Sequence, residues 1–327
     1  MARQGSDGSS EIGSIMREQL QYEDLGLVFD PSECYETLRY SQVPTPILLS
    51  EDVIRIYLAG RNNQNETFIY SVDVCSDDPT RTLNTHPDPI LAPGRLGCFD
   101  ENGTMPSCVL LENGKLKIFY SGWSIRKTVP YNNLTGCAVS EQSKKFERLS
   151  AGPVLGQSLV DPLSATSPWV IRHNTGYVMF YCAGLDWIEI NGKLEHTYNI
   201  KTAKSDNGIN WTPTGQVAVE QRNREEAITR PTVIAGNDGF HMWFCFRQSE
   251  NFRGGNGSYK IGYAHSQDLI NWDRAVEPIT LENKTFGAWA GDMQAYPAAI
   301  QVKENKYLFY NGNGFGAAGF GVMKVTQ

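Results

Sequence analysis

No stretch of this 327-residue sequence approaches the roughly 20 consecutive apolar residues that a membrane-spanning helix needs. The opening residues, MARQGSDGSSEIGS, are polar and carry no apolar core. No secretory signal is therefore expected, and the expected compartment is the cytoplasm. Basic blocks are missing as well. The 29 Lys+Arg against 36 Asp+Glu give a formal net charge of −7, which argues against nucleic-acid and anionic-membrane partners. Cysteine is scarce, odd in number and dispersed: Cys34, Cys75, Cys98, Cys108, Cys137, Cys182 and Cys245 form no C-x-x-C pair and are expected as reduced, mostly buried thiols. The five histidines (His86, His173, His196, His241, His265) do not cluster at zinc spacing. There is no P-loop, and the glycine-rich stretch 312–321 runs into a strand-like FGVMKVT and not into a helix. No cofactor is therefore expected. A Ca²⁺ among central oxygens is chemically feasible, but no dedicated cation loop is visible.

What is present points to an all-β chain. Hydrophobic residues make up 40% and charged ones only 20%, enough apolar material for a sizeable core. Thirty-one glycines, 16 prolines and 11% aromatics supply many turns and many strand-favouring side chains. Five apolar runs recur: IRIYLAG (54–60), LKIFYSG (116–122), YVMFYCAG (177–184), FHMWFCF (240–246) and KYLFYNG (306–312). Aligned on Leu58, Tyr120, Tyr181, Phe244 and Tyr310, they are spaced by 62, 61, 63 and 66 residues. A proline-initiated strand precedes each run, from Pro44, Pro106, Pro168, Pro231 and Pro297. A third strand follows it. In three repeats that strand ends at a serine with an aromatic six residues on: Ser140–Phe146, Ser205–Trp211 and Ser266–Trp272. A fourth short strand follows.

Four strands per unit, repeated five times, predict a five-bladed β-propeller with four-stranded blades. The last unit runs out after three strands, so LGLVF (25–29) is expected to close the ring. Residues 1–22 are expected as a flexible tail, with a helical turn or two over IMREQLQ, and 23–327 as a single propeller domain.

The first strand of a propeller blade lines the central channel, so residues just ahead of each proline are candidates for its mouth. Five to seven positions upstream lie Asp100, Asp161, Glu225 with Glu226, and Asp292. The first unit has Thr37-Leu38-Arg39 there, with Glu36 one step further out. Carboxyl groups gathered in one funnel would repel one another, raise one pKa and provide an acid/base pair for glycosidic cleavage. The competing reading is structural, with each acid hydrogen-bonded to turn amides. Glu101 reads as a turn residue. Arg39 and Arg230 could hold a carboxylate or an anionic substrate group. The long loops between second and third strands offer Trp123, Tyr131, Trp187 and Tyr198 to sugar faces. They offer His196, Arg247, Arg253 and Lys260 to hydroxyl, carboxylate or phosphate groups. The competing reading for Trp187 and Tyr198 is packing between loops. His241 reads as a blade-interior residue and His173 as a turn residue.

The repeat, Asp161-Pro162 ahead of S-P-W-V-I, and E-A-I-T-R-P at 226–231 resemble the five-bladed propeller glycosidases of families 43, 32 and 68 over roughly residues 25–327. The resemblance implies three channel carboxylates, with Asp161 as the tuning Asp and Glu225 or Glu226 as the general acid. The first-blade Asp of those families has no counterpart, since Ser41-Gln42-Val43 precedes Pro44; Asp100 or Asp292 would have to take its place as base or nucleophile. The general plan is also similar to family-130-like phosphorylases, in which one protein acid works with inorganic phosphate. The expected function is cleavage of a glycosidic bond in a small sugar conjugate: Glu226 (or Glu225) protonates the leaving oxygen, Asp100 activates water or attacks, and Asp161 and Asp292 bind hydroxyls. The alternatives are a non-hydrolytic sugar-modifying, transferring or phosphorolytic enzyme, and a non-catalytic glycan-binding propeller.

Overall fold

The computed structural model describes residues 20–34, 39–141, 145–281 and 285–326. After a first strand β1 (Gln21–Phe29), the chain runs through successive antiparallel groups. The first group is β2 (Gln42–Ser50), β3 (Val53–Arg61), β4 (Thr67–Cys75) and β5 (Thr82–Leu91). The second is β6 (Gly103–Glu112), β7 (Lys115–Ile125), β8 (Tyr131–Ser140) and β9 (Glu147–Arg148). The third is β10 (Ala165–His173), β11 (Gly176–Ile190), β12 (Lys193–Ser205) and β13 (Thr212–Val219). The fourth is β14 (Ala227–Gly236), β15 (Gly239–Arg247), β16 (Lys260–Ser266) and β17 (Asp273–Arg274). The last is β18 (Ala295–Val302), β19 (Asn305–Asn311) and β20 (Phe320–Thr326), and β1 pairs antiparallel with β20, Gln21 opposite Thr326. Single parallel bridges, Thr67 to Gly103 and Leu134 to Ala165, join the first three groups.

β1 begins four residues earlier than LGLVF. Tyr22, placed in the tail by the sequence, is buried, and its hydroxyl accepts the Trp243 indole N–H at 3.0 Å. The expected helical turn over IMREQLQ falls largely on residues 15–19, outside the described residues, and Gln21 is strand. Helix is confined, among the described residues, to the short segments Pro31–Cys34, Ala288–Ala290 and Asn313–Gly316. Among the described residues, no helix is long and apolar enough to cross a membrane.

The repeat has a packing cause. The aromatic six residues past each serine stacks edge-on against the second strand of the preceding group: Phe146 on Tyr57 (5.6 Å between centroids), Trp211 on Phe119 (5.9 Å) and Trp272 on Phe180 (5.4 Å). Such pairs contribute about 0.5–1.5 kcal/mol beyond the area they bury. The serines hold the intervening turns, Ser205 Oγ accepting the Gly208 N–H and Ser266 Oγ the Leu269 N–H, both at 2.9 Å. Two third-strand glycines make room for second-strand rings: a Cβ at Gly136 would stand 2.1 Å from the Tyr120 ring, and one at Gly262 2.5 Å from Phe244.

Each inner strand carries a bulge at its proline. Register breaks fall between Gln42 and Thr45, Pro106 and Cys108, Thr166 and Trp169, Thr229 and Thr232, and Ala295 and Ala298. In four of the five, the residue before proline takes a left-handed φ: Val43 (53°), Ser167 (50°), Arg230 (59°) and Tyr296 (54°). For a β-branched or bulky side chain this costs on the order of 1–3 kcal/mol, and such strain concentrates at binding sites. These bulges re-aim one side chain per strand, and that choice decides what lines the centre.

Candidate functional site

A funnel of about 390 Å³ lies where the inner strands converge. Its walls include Gln42 and Val43 of β2, Met105 to Ser107 of β6, Thr166 and Ser167 of β10, Thr229 and Arg230 of β14, and Tyr296 of β18. Most of these inner-strand residues are the one or two directly before each proline. Val43, Met105, Ser167 and Tyr296 stand nearer the prolines than the five to seven positions that separate the candidate acids from them. The rest of the wall includes Tyr40, Arg61 and Tyr131, the β11–β12 hairpin with Glu195 and Tyr198, and Arg247 with the β15–β16 connection that carries Phe252, Arg253 and Tyr259.

The upstream carboxylates do not meet there. Asp100 accepts the Tyr120 hydroxyl at 3.0 Å and the Arg148 Nε at 2.8 Å. Asp161 accepts the Tyr181 hydroxyl at 2.6 Å and the Lys201 Nζ at 2.9 Å. Glu226 takes both arms of Arg274, at 2.7 and 2.9 Å, and the Arg222 backbone N–H at 2.6 Å. All three are buried, none lines the funnel, and Asp100 faces a separate cleft beside Arg95 and Arg148. The last group repeats the clasp with the Tyr310 hydroxyl on Asp24 of β1, at 2.8 Å. The repeat positions Tyr120, Tyr181 and Tyr310 therefore serve these clasps, and the like-charge crowding expected from the sequence does not arise. Glu225 and Asp292 are exposed; Asp292 contributes its carbonyl to Lys260 Nζ at 3.1 Å. Glu36, Thr37 and Leu38 lie outside the described residues.

Among the residues expected to bind substrate, Tyr131, Tyr198, Arg230, Arg247 and Arg253 line the funnel. Arg39 does not; it is exposed and donates to Asn63 at 2.6 Å. Trp123 stands outside the lining, donating its indole N–H to Thr67 at 2.8 Å, with the Arg61 guanidinium over its ring. Lys260 also stands outside, and burial lowers its pKa. Trp187 and His196 stand behind the wall as cross-strand partners of the β11–β12 hairpin. Their rings stack at 4.1 Å, and His196 meets Tyr198 at 4.2 Å. The front of this stack is the Tyr131–Tyr198 hydroxyl pair, 3.0 Å apart. Burial, which dominates, and the neighbouring Arg247 charge push the His196 imidazole down to about 3.

This sets a pH dependence of stability. The unfolded chain takes up the histidine proton near 6.5 while the folded one refuses it, so stability is complete above that pH and declines as pH falls toward 3. The slope approaches about 1.4 kcal/mol per pH unit for one such group. Denaturant midpoints at pH 7 and pH 5 should separate less in His196→Phe than in the parent; equal separations would exclude His196 as the source.

Glu195 is the only carboxylate in the funnel lining among the described residues, and sequence reading did not single it out. The nearest signal was its place in LDWIEINGKLEHTYN, two residues before Thr197 and three before Tyr198. It is buried and receives both arms of Arg253, at 2.6 and 3.0 Å. Arg253 itself is 56% exposed. Arg230 crosses the centre. Its guanidinium donates to Ser107 Oγ at 2.6 Å and the Ser107 carbonyl, and to Thr45 Oγ1 at 2.7 Å and the Pro44 carbonyl at 3.2 Å, tying β14 to β6 and β2. Arg247 lies 3.8 Å over the Phe252 ring and donates to the His196 carbonyl at 2.8 Å. No group of three or more His, Cys, Asp or Glu among the described residues is arranged to hold a metal.

The fold is that of the glycoside hydrolase-like propellers. A glycoside hydrolase superposes with a TM-score of 0.69 over 93% of this chain and 91% of that one, at 16% identity. BT0996, solved in an RGII complex, gives 0.68 with the same coverage and identity. A β-1,2-mannobiose phosphorylase from Listeria innocua, in complex with β-1,2-mannobiose, gives 0.65 over 94% and 96%, at 11% identity. No protein-family model matches the chain. The chain belongs to the family of the uncharacterized Mycobacterium tuberculosis proteins MT1551 and Rv1502. It is 31% identical to each over 310 residues, 94% of this chain and 100% of the relative.

Proposed function

We propose that this protein is a sugar-active enzyme whose reaction takes place in the funnel, with Glu195 as the group that moves the proton. The observation that carries this reading is the placement of Glu195, the single lining carboxylate among the described residues, between a tyrosine-rich wall and Arg253. Tyrosine faces and hydroxyls suit a small sugar, and fold neighbours that are glycoside hydrolases and a mannobiose phosphorylase support the class. The five strand groups read best as a closed five-bladed ring, one domain, with β1 supplying the last strand. The test is a structure with a bound glycoside or sugar product. The anomeric carbon is expected within reach of Glu195, and a sugar seated outside the funnel would overturn the assignment.

A second reading, transfer or phosphorolysis in place of hydrolysis, is favoured by the count of carboxylates. Glycoside hydrolysis ordinarily uses two, flanking the scissile bond, one to protonate the leaving oxygen and one to activate water or attack. Glu195 can fill one of these roles. An oxyanion co-substrate needs no base to become a nucleophile, and a phosphate leaving group needs no acid. Turnover in ¹⁸O-water separates the two: label entering the sugar product marks hydrolysis, and unlabelled product marks transfer. Sugar binding without bond cleavage across a broad glycoside panel would leave the glycan-binding propeller instead.

A further inference from the structure

The funnel lining carries four guanidinium groups against one carboxylate, and that carboxylate is already held by one of the four. Arg230 and Arg247 are almost wholly buried, and their hydrogen bonds go to carbonyl and hydroxyl oxygens, none of them charged. Arg61 faces the rings of Tyr40 and Trp123. The Nε atoms of Arg61, Arg230 and Arg247 are all buried and have no hydrogen-bond partner. A desolvated cation with neutral partners only is costly to keep, and three around one cavity define a site for negative charge. Burial lowers the Arg61 guanidinium and pushes Arg230 down to about 10, whereas at Arg247 burial is outweighed by the Tyr259 and Tyr198 oxygens, which raise it. The Tyr259 and Tyr296 hydroxyls on the same wall are held protonated by burial, so they add donors and no anion.

We propose that the funnel has a subsite for a phosphoryl oxyanion, lined by Arg61, Arg230 and Arg247, next to the sugar position served by Glu195. The balance of charge chooses phosphoryl over carboxylate: the excess is three positive charges, and a dianion with three acceptor oxygens matches it better than a monoanion with two. The group could be an ester on the sugar or free phosphate, which present the same oxygens. The proposal rests on the funnel being the sugar site.

The test is calorimetric titration of the full chain with a hexose 1-phosphate, inorganic phosphate, the free hexose and glucuronate. The hexose 1-phosphate is expected to bind at least about tenfold more tightly than the free hexose and than glucuronate. Arg61→Gln and Arg247→Gln should each weaken it by about tenfold or more, the loss of one charge-assisted contact. Arg61 makes ring contacts where Arg230 ties strands together, so the Arg61 variant serves if Arg247→Gln does not fold. Inorganic phosphate binding as tightly as the ester identifies free phosphate as the occupant and keeps the subsite. Three results overturn the proposal: no phosphoryl ligand binding at millimolar concentration, glucuronate binding as tightly as the ester, or affinity unchanged in both variants. Glu195→Gln separates the two readings. Phosphoryl binding with full turnover in that variant sinks only the catalytic role of Glu195, while lost turnover without phosphoryl binding sinks only the subsite.

Discussion

Glu195→Gln is expected to lower turnover by on the order of 10²- to 10⁴-fold, the range for removing a positioned proton donor or acceptor. The amide keeps the volume and one acceptor oxygen, so the hairpin that carries it should stay in place. Glu195 lies on β12 within the long β11–β12 hairpin, whose register runs unbroken from Asp186 opposite Thr197 to Ile190 opposite Lys193. A loss of rate therefore reads chemistry more than folding. The matched control is Glu226→Gln. Glu226 is closed off by Arg274 and the Arg222 amide and is absent from the funnel lining, so its rate per folded molecule should stay within a few-fold of the parent. Rates are compared on the same substrate at equal folded fractions. The reverse outcome, a slow Glu226 variant and an unaffected Glu195 variant, would restore the assignment drawn from the sequence and remove the one made from the structure.

Arg274→Met should destabilise the fold by about 3–5 kcal/mol, because it leaves the Glu226 carboxylate buried without its cation. Glu226 is 1% exposed and Arg274 12% exposed, and both oxygens of the acid are engaged. In a chain of 327 residues each kcal/mol moves the melting midpoint by roughly 1.5 °C, so a shift of about 4–8 °C is expected. Pairing it with Glu226→Gln should recover a large part of the loss, since the stranded charge is then gone. Arg274 also lies 5.3 Å over the Phe244 ring, so some packing loss remains. A double variant as unstable as Arg274→Met alone would show that stranded charge is not the cause.

The acids at 100, 161 and 226 show how one sequence pattern can carry two assignments. Their recurrence ahead of the prolines is real, but the same recurrence is produced by a repeated clasp. Asp100 and Asp161 each stand 20 residues before the tyrosine that binds them, a spacing that belongs to the unit and not to the funnel. The serine-to-aromatic spacing is equally visible in the sequence, and its partners are not: that Phe146, Trp211 and Trp272 reach back to the preceding group depends on how the sheets stack. Tyr131, Tyr198, Arg247 and Arg253 are legible as funnel candidates because long aromatic and basic loops favour one face of such a fold, and Arg230 because it lies close in sequence to the acids ahead of Pro231. Glu195 is not, because it has no repeat counterpart.

The chain alone determined the all-β class, the groups of about 60 residues and the strand order, because these follow from local periodicity, turn chemistry and a repeat that each unit carries in itself. Which side chains face the centre was decided only in three dimensions. In four of the five inner strands a left-handed residue before proline re-aims one position, and a shift of a few residues along the chain separates a group buried in its own sheet from one that looks into the funnel. The charge of the funnel was settled in the same way: a chain that is acidic as a whole draws its acids into ion pairs away from the centre and leaves four arginines of the first and fourth strand groups facing the central space.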